Sequence, residues 1–67
     1  MRYSDDHIRK VLEDEIARAG GVRRLAAEVG LSPAFISAVR SSQAPPGPTL
    51  ASYLGYVEDG KRWVEKR

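Results

Sequence analysis

The chain has 67 residues, a formal net charge of +2 and no cysteine, so it makes one small domain with no room for an enclosed catalytic cavity between lobes. Disulfides and thiolate metal sites are excluded as staples, which fits a reducing cytoplasm. No apolar run approaches the roughly 20 residues of a membrane span, and the first residues lack a signal-peptide core, so a cytoplasmic location is expected.

The first predicted element is a helix. Ser4 precedes Asp5 and Asp6, whose charges suit the positive end of a helix dipole. Ile8, Val11, Leu12, Ile16 and Ala19 then form an apolar stripe, and Gly20-Gly21 ends it. Glu13, Asp14 and Glu15 lie beside the stripe and are expected to face solvent. This helix reads as scaffold behind the segment that follows.

Residues 22–41, VRRLAAEVGLSPAFISAVRS, carry the most information. Val22–Val29 places Leu25, Ala26 and Val29 on one helical face. Gly30 stands where the chain must turn with positive φ, a conformation that costs glycine nothing. Leu31 is a buried plug, Ser32 a helix N-cap and Pro33 a first-turn residue. The second helix of the pair buries Ile36 and Val39, and small Ala26 lets the two backbones approach. Two short helices at a fixed angle about a glycine turn make a helix-turn-helix.

Ser41-Ser42-Gln43-Ala44-Pro45-Pro46-Gly47 is a loop by composition. Pro48 suits the first turn of a fourth helix that buries Leu50, Ala51 and Leu54 and stops at Gly55. The tail, residues 56–65, reads as a β-hairpin about an Asp59-Gly60 type I′ turn. That register sets Glu58 against Lys61 and Tyr56 against Trp63, one charge pair and one aromatic pair. The alternatives are a helix from residue 58 onward, or a hairpin that only folds back on its own domain. The chain as a whole, residues 1–67, is one domain, mainly α.

The 22–41 segment resembles the helix-turn-helix of Cro and phage-repressor proteins, the XRE-like family. The matching residues are Leu25, Ala26, Val29, Gly30, Leu31, Ser32, Ile36, Ser37 and Val39, and the likeness continues through Pro45–Pro48 to Leu54-Gly55. It covers about residues 8 to 57. The resemblance implies a four-helix repressor-like domain with a C-terminal hairpin or strand. It also implies double-stranded DNA as partner, and a homodimer formed through the tail by Tyr56, Val57, Trp63 and Val64. The function so implied is that of a Cro-like transcriptional regulator, a repressor of phage type occupying a palindromic operator. The rival function is a protein-interaction module, an inhibitor or anti-repressor, on the same scaffold.

For DNA, the third helix would enter the major groove with Ser32, Pro33, Ala34, Ser37, Ala38 and Ser41 outward, by their spacing from Ile36 and Val39. Phe35 stands at the margin. Arg23 and Arg24 fall where the family's first motif helix crosses the DNA backbone, and Arg40 and Gln43 where it commonly holds a second phosphate. Two departures matter. Pro33, Ala34 and Ala38 occupy places that often carry long polar side chains, so base readout should be sparse. Ser42-Gln43 replaces the usual glycine and basic residue after the third helix.

Catalysis is not expected. His7 has no second histidine to pair with and is read as a surface residue, and the serines have no neighbouring base in the sequence. No cofactor, metal, membrane or small-molecule ligand is expected. Charge is segregated: Arg23, Arg24 and Arg40 outnumber Glu28 in residues 21–55, and Lys61, Arg62, Lys66 and Arg67 outnumber Glu65 at the end, while the acids gather in the first helix. One face toward phosphate would account for that arrangement.

Overall fold

The computed structural model describes residues 1–66, so Arg67, counted above among the basic residues of the tail, lies outside the described residues. Four helices precede a hairpin: α1 (Asp5–Ala19), α2 (Val22–Val29), α3 (Pro33–Arg40), α4 (Gly47–Leu54), β1 (Tyr56–Asp59) and β2 (Arg62–Glu65). The helices begin and end where the sequence signals do. Gly30 closes α2 with φ +85° and returns its N–H to the Ala26 carbonyl, and Ser32 caps α3 by accepting the Phe35 N–H at 3.1 Å.

Apolar side chains gather in two adjoining clusters. Leu12 and Ile16 of α1 meet Leu25, Ala26, Ile36, Val39 and Leu50 in the larger. One turn earlier on α1, Ile8 joins Ala51 and Trp63 in the smaller, flanked by Tyr3, Leu54 and Tyr56. The C-terminal half of α1 therefore supports α2 and α3, and its N-terminal half supports the hairpin. Polar staples surround both. Arg18 of α1 reaches Glu15 at 3.0 Å and Glu28 of α2 at 3.1 Å, and Tyr53 of α4 donates to Glu28 at 3.0 Å. The hydrogen bonds from Arg18 and then Tyr53 hold the Glu28 carboxyl below its ordinary range. A depressed carboxyl stabilises the fold above its unfolded pKa, and this contribution is lost as the pH falls through the folded one.

The hairpin forms in a different register from the one expected. Asp59 faces Arg62, Glu58 faces Trp63, Val57 faces Val64 and Tyr56 faces Glu65, so the turn is Gly60-Lys61 rather than Asp59-Gly60. Gly60 has φ +65°, the sign that a type II′ turn requires at its first central residue. Opposite charges face each other at the turn in either register, so the charge pair did not discriminate. Both strands moved by a matched step, which keeps Tyr56 and Trp63 on one face but diagonal to each other.

Tyr3 adds a third stretch of chain to the sheet. It exchanges backbone hydrogen bonds with Trp63 at 2.7 and 2.9 Å, covering the outer edge of β2. Its ring stacks on His7 at 4.0 Å, and its hydroxyl donates to Glu65 at 2.7 Å, a bond that pushes the phenol pKa up. Beneath it, the Tyr56 hydroxyl and His7 Nε2 are 2.9 Å apart. His7 is thus a half-buried packing residue, not the free surface residue expected.

Candidate nucleic-acid interface

α2 begins on Gly21, which offers no side chain to cap its first amides. Helix geometry leaves those N–H groups without partners inside the helix. Arg23 and Arg24 sit beside them, both exposed. The aliphatic part of Arg24 lies over Gly20, where an added Cβ would come within 3.4 Å of Arg24 Cδ. Among the described residues neither arginine has a carboxylate at ion-pair distance. Two unneutralised guanidinium groups and a set of unpaired amides therefore share one end of α2.

α3 presents Pro33, Ala34 and Ser37 to solvent, with Ser32 exposed at its start. Ala38 is half-buried, and so lies further round the helix than the spacing suggested. Ser41 is exposed, but its hydroxyl bonds back to the Ser37 carbonyl at 3.0 Å and the Ala38 carbonyl at 3.3 Å. That leaves its oxygen lone pairs, not its proton, for a partner. Ser42 takes φ +66°, a left-handed conformation that costs a non-glycine residue about 1–2 kcal/mol. With it the chain turns so that Gln43 N–H reaches the Ala38 carbonyl at 2.8 Å, and the Gln43 side chain stands exposed.

Arg40 is placed differently from Arg23 and Arg24. Its Nε and Nη2 bond both oxygens of Glu13, at 2.5 and 3.0 Å. Glu13 faces solvent as the sequence suggested, its side chain 48% exposed, and it is at the same time a partner of α3. Phe35 is half-buried against the larger cluster. With Leu31, Pro46, Gly47, Pro48, Thr49 and Leu50 it lines an open apolar groove of about 280 Å³ beside α3.

Of the four tail residues expected at a dimer surface, Trp63 is removed from that role by burial. It is 5% exposed, and its indole N–H donates to Asp5 at 2.7 Å. It packs with Ile8 of α1 and Ala51 of α4 in the smaller cluster of its own chain. Tyr56 is half-buried beside it. Val57 and Val64 face each other on the opposite side of the hairpin, with Val57 41% exposed. Because Trp63 turns its backbone groups to Tyr3, those of its partner Glu58 point to the free edge of β1, and no described residue bonds to them.

Sequence reasoning missed the contacts from α1 to the end of α3 and the pairing of Tyr3. Both join residues far apart in the chain, and no local pattern marks them. Among the described residues no group of His, Asp and Glu could hold a metal ion, and no helix is long and apolar enough to cross a membrane. Comparisons with protein families, curated proteins and solved structures returned no match to the chain.

Proposed function

We propose that this chain is a small DNA-binding regulator that lays α3 in the major groove and holds the flanking phosphates from the start of α2. The observation that carries the reading is the start of α2: Arg23 and Arg24 are exposed, have no ion-pair partner among the described residues, and adjoin amides that no side chain caps. Anions are favoured at such helix ends, and phosphate contacts fix a protein's position on DNA. Base contacts are few: Ser32 and Ser37 hydroxyls, with the Ala34 methyl and Pro33 ring set to touch thymine methyls. Specificity then leans on DNA shape and deformability. Regulation follows from occupancy of a promoter, in the cytoplasm and without a cofactor.

Replacing Arg24 with Ala should weaken binding to all duplexes alike, and should flatten the log–log dependence of affinity on salt by about 0.9. Fluorescence titration against random duplex at low and high salt measures both quantities. A loss confined to one sequence, or an unchanged slope, rejects the phosphate contact.

The proposed operator complex is a dimer, since two half-sites must lie about one helical turn apart. Val57, Val64 and the open edge of β1 supply the surface for it, without Trp63. Val57→Lys should leave the circular dichroism unchanged and hold the chain monomeric where the parent associates, at roughly tens of micromolar. A parent protein that sediments as a monomer both free and on DNA overturns this assembly.

A second reading has its own support. The short side chains of α3 and the apolar groove at Phe35 suit a protein partner better than they suit base edges. On that reading the domain is an interaction module, and the random-duplex titration shows no binding at low salt.

A further inference from the structure

The end of α3 is gripped by two side chains of α1. Arg9, with a side chain only 19% exposed, donates Nε–H to the Val39 carbonyl at 3.0 Å. That carbonyl lies in the last turn of α3, where it also accepts the Ser42 N–H at 3.1 Å. Arg9 is itself braced by Asp6 at 2.7 Å. One turn along α1, Glu13 receives both Nε and Nη2 of Arg40. The grips fall on consecutive residues and have opposite polarity: α1 supplies a donor to Val39 and an acceptor to Arg40. Leu12 and Ile16 of α1 also share the larger apolar cluster with Ile36 and Val39 of α3, and apolar packing is non-directional. The polar pair therefore adds a directional hold at the C-terminal end of α3, beside the Gly30 turn and the apolar packing that join α3 to α2.

We propose that Arg9 and Glu13 are positioning residues that set the angle at which α3 meets its target, and that the charge of Arg40 serves this clamp rather than a phosphate. The proposal rests on the reading of α3 as the DNA-contacting helix. Its physical need is specific to this chain. A glutamine or arginine on the outward face could adapt to a tilted helix through its own rotamers. Ser37, Ala34 and Pro33 cannot reach, so their contacts depend on where the backbone is held. A helix with so short a reading face must be aimed from behind.

The test is a charge exchange. Using a duplex selected from a random pool by the parent protein, affinity is compared with random duplex for Glu13→Arg, for Arg40→Glu and for both together. Each single variant should lower the selected-to-random ratio about tenfold, the scale at which contacting residues couple. The double variant should recover it to within about threefold, with the parent's salt dependence. Were Arg40 a phosphate contact, the double variant would carry a carboxylate toward DNA. It would then lose affinity for every duplex with a salt slope about 0.9 shallower, and that result overturns the proposal.

Glu13→Ala, which keeps helix propensity, gives a second reading with no DNA present. The amides of Ser41, Ser42 and Gln43 donate to Ser37, Val39 and Ala38, and they should exchange with solvent about two- to fivefold faster, as expected for loss of one exposed ion pair. Amides of α4 should keep their rates. Unchanged exchange at the end of α3 overturns the clamp. A parent protein that binds no duplex overturns the DNA reading instead, and the exchange rates still decide whether α1 holds α3.

Discussion

Trp63→Ala should leave the chain largely unfolded at 25 °C. The substitution empties the centre of the smaller cluster, uncovering Ile8 and Ala51, and it strips the Asp5 carboxylate of its indole partner. Large-to-small changes at buried tryptophan cost about 3–5 kcal/mol. A domain of this length has roughly 3–10 kcal/mol in all, so the loss reaches the whole of it at the lower end of that range. Tyr3, which pairs with the backbone of residue 63, loses the surface that orders it. Loss of the cooperative melt by circular dichroism is the expected result. A melting temperature within a few degrees of the parent would mean that the hairpin is not part of the folding unit. The same reasoning predicts that deleting the chain beyond Gly55 unfolds the protein, rather than yielding a stable half-site binder.

The second large effect belongs to function alone. Ser37 is exposed on α3, and its side chain bonds to nothing in the described structure, so Ser37→Glu should leave the melting curve unchanged. Against a DNA target the new carboxylate meets phosphates and base acceptors, and like charges brought together cost several kcal/mol. Affinity should fall by at least about 100-fold. Titration of folded variant against the selected duplex checks it. Retained affinity would move the binding surface away from α3 and favour the protein-docking function.

What could be read from the sequence is the part governed by neighbours along the chain. Leu25, Ala26, Val29, Ile36 and Val39 repeat at helical spacing, and Gly30 and Ser32-Pro33 mark a stop and a start, so α2 and α3 were legible to the residue. The exposed placing of Pro33, Ala34 and Ser37 followed from the same periodicity, while Arg23 and Arg24 were singled out by the resemblance. Contacts that join distant segments were not. In the register the hairpin takes, Trp63 pairs with Tyr3 and packs with Ile8 and Ala51, both far away in sequence, and Asp59-Gly60 and Gly60-Lys61 are both good turns by composition. Trp63 looked like surplus aromatic surface because nothing near it in sequence announces those partners. The pairing of Glu13 was hidden because its partner, Arg40, lies on another helix.

The tryptophan is also the only one in the chain, and it reports on a place remote from α3. Its ring sits with Ile8 and Ala51, whereas α3 packs on Leu12 and Ile16 one turn further along α1. The molecule thus carries an intrinsic optical probe of hairpin docking. Emission that shifts to the red in denaturant follows the sheet leaving the helices. Emission that stays fixed while nucleic acid is added would mark a complex formed without disturbing that end of the domain. A dimer built on β1 would place this fluorophore near the twofold axis, where quenching measures assembly independently of what α3 holds.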